Sequence, residues 1–142
     1  MDPAIAKQQS RDKSRFAPKR KVLIVDEDFG DLNHYAGILR QQGYEVKTCA
    51  SCTDGADCLG CEAFDFVVLS QGTRAFEGRP LLERVLMVDR KLPVLVLTRS
   101  VDMSCYLEAM QLGAVDYLEK PLTPSELLRV VETPLRPSKA ET

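Results

Sequence analysis

The sequence predicts a doubly wound α/β fold: one parallel sheet with helices on both faces. Three observations lead there. Short apolar runs rich in Val, Leu and Ile recur along the chain. Each is followed by a stretch with helical apolar spacing. Glycine, proline and capping residues punctuate the changes between them. Short apolar runs bounded by polar loops suit parallel strands covered on both faces. Strict alternation of strand and helix requires crossovers that pack on the sheet.

Lys21–Asp26 (KVLIVD) reads as strand one. The next segment carries Leu32, Tyr35, Ala36 and Leu39 along one stripe and closes at Gly43, so it is a helix. Tyr44–Cys49 is strand two, and Ser51 can cap a short helix reaching about Gly60. Phe66–Leu69 is strand three. Helix three begins near Gly78 with Pro80 in its first turn, where a missing N–H costs nothing, and turns Leu81, Leu82, Val85 and Leu86 inward. Pro93 opens strand four, Val94–Leu97. Helix four runs from Asp102 to Leu112 and stops at Gly113, and Ala114–Leu118 is strand five. Thr123-Pro124-Ser125-Glu126 is a capping box that starts a last helix with Leu127, Leu128, Val130 and Val131, terminated by Pro134. Right-handed crossovers restrict the topology, and at this size the flavodoxin-like order 2-1-3-4-5 is the natural choice.

A chain of 142 residues accommodates one domain and its tails, here 1–19 as a disordered basic leader, 20–133 as the domain and 134–142 as a flexible tail. Residues 1–21 hold seven basic and two acidic residues, whereas the remainder holds 12 basic and 19 acidic. The leader could touch nucleic acid or an acidic partner, or simply solubilise the chain. The acidic body argues against nucleic-acid binding by the folded domain. No apolar run approaches the ~18 residues of a membrane span. The leader lacks the apolar stretch of a signal peptide, so a cytoplasmic location is expected.

In a sheet of this order the site lies at the carboxyl ends of strands one and three, where the order reverses. Asp26, Glu27, Ser70, Thr98 and Lys120 fall at or just after strands one, three, four and five. Asp26, Glu27 and Asp28 could hold a hard cation, or merely be solvated. Thr98 offers a hydroxyl, and Lys120 a charge that pairs with carboxylate or phosphate. Each alone has an ordinary structural explanation; the constellation is more specific.

On the stretches KVLIVDEDFGDL, FDFVVLSQG, PVLVLTRS and AMQLGAVDYLEKPLT the chain resembles receiver domains of bacterial response regulators, over about Arg20 to Thr133. The last stretch resembles receivers of enhancer-binding transcription regulators. The resemblance implies a module of a two-component phosphorelay that takes a phosphoryl group from a histidine kinase onto an aspartate ending strand three, using magnesium. It implies that Asp26 and Glu27 match the metal-holding acidic pair. Thr98 and Lys120 would match the residues that follow and contact the phosphoryl group. Tyr117 would match a rotating switch aromatic, and Lys120-Pro121 a cis peptide.

The departure is central: Ser70 stands at the acceptor position, and Thr73-Arg74 replaces the family's Met-Pro. Serine is a weak nucleophile without a base, and the only histidine, His34, falls on helix one. Losing an anion also weakens the cation site, leaving at most weak magnesium binding, and should drive Lys120 onto Asp26 or Glu27. The favoured reading is a pseudo-receiver: no enzyme, acting by phosphorylation-independent protein interaction. The alternative is a conventional phosphoacceptor using Asp65 or Glu77, or a deliberate serine variant of an active receiver. Asp65 begins its strand and so belongs at the opposite edge of the sheet.

In the family, helix four, strand five and helix five meet partners. Here that face would include Met103, Tyr106, Met110 and Tyr117, and it could meet a kinase, an effector or a second copy. Five cysteines remain: 49, 52, 58, 61 and 105. Two C-x-x-C pairs, CASC and CLGC, suggest zinc or an iron–sulfur cluster, and so a metal or redox sensor as a further class, while structural disulfides are not expected in a reducing cytoplasm. A strand end and the far end of a helix should not converge on one tetrahedral metal, and cysteine also serves as a small buried hydrophobe.

Overall fold

A computed structural model of the chain describes residues 19–72 and 76–135. Five strands form one sheet in the order β2-β1-β3-β4-β5, with every pairing parallel. The strands are β1 Lys21–Val25, β2 Glu45–Cys49, β3 Phe66–Ser70, β4 Val94–Thr98 and β5 Asp116–Glu119. The helices are α1 Phe29–Gln41, α2 Cys52–Cys61, α3 Arg79–Val88, α4 Met103–Leu112 and α5 Pro124–Leu135. The leader and the tail beyond Leu135 lie outside the described residues, as does Thr73-Arg74. No helix among the described residues is long and apolar enough to cross a membrane.

The alternation of side chains along the buried strands splits the core in two. Leu23, Val25, Val67, Leu69, Val94 and Val96 face α2, α3 and α4. Val22, Ile24, Phe66, Val68, Leu95 and Leu97 face α1 and α5. This is the period-2 pattern of a sheet that is apolar on both faces. Helix entries follow the capping residues. Ser51 accepts from Asp54 N at 3.1 Å, Asp102 from Ser104 N at 2.9 Å, and Thr123 and Glu126 exchange the two bonds of a capping box. Leu86, Leu128 and Val130 are half-buried and pack at the margins of the core.

Several strand ends shift by one residue from the sequence reading, and two boundaries differ for an evident reason. α5 does not stop at Pro134 but runs to Leu135. A proline this close to a helix end removes one hydrogen bond and leaves little helix to disrupt. β5 begins at Asp116 rather than Ala114, because Gly113, at φ 111°, turns the chain so that Ala114 N still donates to Ala109 O. Val115 N then donates to Val94 O and starts the ladder.

Leu127, fully buried, anchors α5. Leu127→Ala should lower stability by roughly 2–5 kcal/mol. Met103→Ala, at a residue 66% exposed, should change it by less than about 0.5 kcal/mol. Urea unfolding midpoints check both, and equal losses would contradict the packing described.

Candidate functional site

Strand register brings the candidate residues to one edge. Val25 pairs with Leu69, Ser70 with Leu97, and Thr98 with Glu119. The ladder bonds continue past the strands: Asp26 N donates to Cys49 O, Gln71 N to Leu97 O, and Lys120 N to Thr98 O. Asp26, Glu27, Ser70, Thr98 and Lys120 therefore line one cavity of about 330 Å³, together with Asp28, Gln71, Gly72, Arg99 and Ser100. A neighbouring cavity of about 270 Å³ shares Asp26, Glu27, Ser70 and Gln71, and adds Ser51, Cys52 and Glu77. The loop that leaves β3 folds back tightly. Gly78 N donates to Gln71 O at 3.0 Å, and a Cβ at Gly78 would lie 2.8 Å from the Ser70 carbonyl oxygen.

Both cations of the cavity are paired with its aspartates. Lys120 Nζ lies 2.6 Å from Asp26 Oδ2 and 2.9 Å from Asp31 Oδ2, with the Lys120 and Asp26 side chains only 3% and 5% exposed. Arg99 Nη2 lies 2.9 Å from Asp28 Oδ2 and 2.5 Å from Asp31 Oδ2. Asp31, in the first turn of α1, bridges both cations. Burial pulls the Lys120 ammonium down, but the bonds to Asp26 and Asp31 outweigh it and hold the group above its ordinary value. The Asp31 amide, followed by Arg99, holds the Asp28 carboxyl below the usual range.

Lys120 pairs with Asp26 and not with Glu27, which is exposed. Thr98 is buried, donates to Ser100 O and accepts from Ser100 N. Tyr117 is buried beneath Tyr106, edge to face with ring centroids 5.7 Å apart. Its phenol donates to Gln71 Oε1 in a short bond and accepts from Asp102 N at 3.3 Å. Burial pushes that phenol above its ordinary range. The Lys120-Pro121 bond is cis. His34 is exposed on α1. Asp65 accepts from Lys21 N at 2.8 Å, at the opposite edge from the cavity, whereas Glu77 lines the smaller cavity.

Asp31, Gln71 and Arg99 were not singled out from the sequence. Two of them had a usable signal: Gln71 and Arg99 directly follow residues assigned to strand carboxyl ends, so they had to reach the same edge. Asp31 offered none, because its contribution depends on the angle at which α1 leaves β1.

The donor chemistry does not fit a tightly held divalent ion. Asp26 Oδ1 accepts from Asp28 N, and Asp26 Oδ2 is taken by Lys120. Asp28 caps α1 and pairs with Arg99, and the third strand end supplies a neutral hydroxyl. Among the described residues no trio of His, Cys, Asp or Glu converges as a metal site, the cysteines included.

The family model described as "Response regulator receiver domain" matches residues 22–132. The chain is 29% identical over 118 residues to the transcriptional regulatory protein FixJ of Bradyrhizobium diazoefficiens, covering 83% of this chain and 58% of that protein. It is 28% identical over 115 residues to the phosphoglycerate transport system transcriptional regulatory protein PgtA of Salmonella typhimurium, covering 81% of this chain and 28% of that one. It thus spans little more than half, or less, of these relatives. Among solved structures it is similar to a CheY-like receiver domain protein of Methanospirillum hungatei, with TM-score 0.80, 26% identity, and 87% and 99% of the two chains covered. A response regulator structure from Chloroflexus aurantiacus gives TM-score 0.76 and 30% identity over 84% of this chain and 99% of that one.

Lys120→Met should cost about 3 kcal/mol, because it strands the buried Asp26 carboxylate. Arg99→Ala, whose partners are hydrated, should cost much less. In the intact protein the stability Lys120 contributes is fully present below the unfolded lysine value of ~10.4, and it is lost as pH rises through the higher folded value. Denaturant titrations of both variants, with the parent followed from neutral to strongly alkaline pH, check the order and the sign.

Proposed function

Because the chain belongs to the response regulator receiver family, we propose that it is a two-component signalling module that binds a partner protein without taking up phosphoryl at Ser70. It is a receiver domain by family and fold. The mechanism is our reading, and the state of the β3 tip carries it. Ser70 offers an alcohol where the family resemblance calls for a carboxylate, and Asp26, Asp28 and Asp31 are occupied by Lys120 and Arg99. A hydroxyl needs a base to become a nucleophile. The nearest buried carboxylate, Asp26, accepts from an ammonium and an amide and is a poor candidate. The module is not an enzyme in this reading, and weak magnesium at Asp26 and Glu27 is not required for its action.

Partner binding would use α4. Met103, Tyr106 and Leu107 expose apolar surface there, and Val101 just before it, an arrangement that favours protein contact. Two residues expected on this face offer less surface: Tyr117 on β5 is buried, and Met110 on α4 is half-buried against the core. Tyr117 would act from beneath, supporting Tyr106 while tied to Gln71. Kinase, effector or second copy are the partner types this face would suit, and a cytoplasmic setting agrees with such partners.

The second reading keeps phosphoryl transfer and moves it to Glu77, which shares the smaller cavity with Ser70. Incubation with acetyl phosphate and magnesium, followed by intact mass measurement, separates the two. No adduct of roughly 80 Da is expected on the parent chain, and Ser70→Asp should gain one. An adduct on the parent that Glu77→Gln removes would establish the second reading. A stable adduct on Ser70 itself would end the first.

Gln71→Leu should leave the buried Tyr117 hydroxyl without its acceptor, at a cost of about 1–3 kcal/mol. Faster flipping of the Tyr117 ring, seen by NMR, should accompany the loss. An unchanged ring would show that Gln71 does not hold it.

A further inference from the structure

We propose that Cys49 and Cys58 form a reversible disulfide when the protein meets a peroxide, tying the carboxyl end of β2 to α2. Among the described residues the two C-x-x-C motifs bring no three ligating side chains together. Instead one cysteine from each comes together: Cys49 Sγ and Cys58 Sγ lie 3.2 Å apart in a mutual S–H···S contact. A disulfide needs about 2.05 Å, so about 1 Å of approach completes the bond, within the reach of small side-chain and helix adjustments. Cys52 lines the smaller cavity, Cys61 is exposed at the end of α2, and Cys105 is buried on α4.

The two thiols differ in a way that divides the chemistry. Cys49 is buried, and its thiol is pushed up to about 12 by that burial and by the bond with Cys58. It is a poor first nucleophile. Cys58 is half-buried on the helix and is the thiol a small oxidant reaches. Cys58 sulfur attacks one peroxide oxygen, the O–O bond breaks, and hydroxide leaves as water after taking the thiol proton. This gives a sulfenic acid at Cys58. Cys49 sulfur then attacks Cys58 sulfur, the S–O bond breaks, and the departing hydroxide takes the Cys49 proton. Two thiols and one peroxide become one disulfide and two waters. The departing hydroxide is the base that takes the Cys49 proton as its sulfur attacks, so the raised Cys49 value slows this step without blocking it. A thiol reductant reverses the bond by exchange.

The bond would reach the site as well as the helix. The Cys49 carbonyl accepts from Asp26 N at 3.0 Å, and α2 opens with Ser51 and Cys52 on the wall of the smaller cavity. Oxidation would fix that wall. The claim does not depend on the phosphorylation-independent reading, and its test does not touch Ser70.

The test is hydrogen peroxide treatment of the full chain, followed by thiol titration under denaturing conditions. Free thiols should fall from five to three and return to five with dithiothreitol. Cleavage before Asp54 and Asp57 separates Cys49 and Cys52 from Cys58 and Cys61, so mass spectrometry of unreduced peptides should find them linked. The double variant Cys52→Ser, Cys61→Ser should keep the link, and Cys58→Ser should lose it. Circular dichroism of Cys58→Ser checks its fold, while the double variant assigns the bond independently. Five thiols after treatment, a link lost in the double variant, or Cys58 oxidised without a link would each overturn the proposal.

Discussion

The contact on which the site depends is the buried pair between Lys120 and Asp26. These residues are 94 positions apart and follow the edge strand β5 and the inner strand β1, with β3 and β4 between them in the sheet. Strands are spaced by ~4.8 Å, so the segment after β5 has to fold back over the carboxyl edge for the ammonium to arrive. α1 secures that return twice: Asp31 is the second acceptor for Lys120, and Tyr35 accepts from Leu122 N through its hydroxyl at 3.2 Å. Taking two such charges out of water costs several kcal/mol each, and only close pairing with further hydrogen bonds offsets it. Both conditions hold here, because Asp26 also accepts from Asp28 N.

The same pairing limits what the cavity can do. Four carboxylates cluster at this edge, Asp26, Glu27, Asp28 and Asp31, and two protein cations sit among them. An acidic cluster left open would recruit a metal ion; one supplied with an arginine and a lysine has much less to gain. Arg99 matters most in this comparison. It is exposed and hydrated, so its ion pairs are individually weak, yet it places positive charge where an entering divalent cation would be repelled. Among the described residues no buried side-chain polar atom is without a partner. Two cations against four carboxylates leave the edge net acidic, but Asp26, Asp28 and Asp31 are each held by at least one of those cations.

How much of this was legible in the sequence follows from which forces are local. Strand order, the two-sided core and the helix starts were readable because apolar period, caps and glycine stops are local signals that agree with one another. The edge residues were readable because a parallel sheet carries every strand's carboxyl end to the same place. The charge network was not. Asp31 enters through the exit angle of α1, which spacing does not encode, whereas Gln71 and Arg99 follow strand ends and only their partners at the edge depend on packing. The cysteines divide the same way. Spacing offered two C-x-x-C pairs but could not reveal that Cys49 and Cys58 would meet. Tyr117 was identified from its motif, whereas its burial beneath Tyr106 depends on packing between α4 and β5.

A fold with a satisfied pocket can still change state, but the drive has to come from outside it. Ligands shift a conformational equilibrium only by their difference in affinity for the two forms. Phosphoryl uptake would supply that difference at the centre of the carboxyl edge; on the reading proposed here the partner has to supply it at α4. The hydrogen bond from Tyr117 to Gln71 then sets the threshold. It joins β5 to the residue after Ser70, so moving the aromatic ring means breaking a buried bond as well as sliding past Tyr106. A partner that accepts α4 as it stands meets no such cost and binds a preorganised surface. On that reading a partner that recognises one standing conformation has the advantage over one that must induce another.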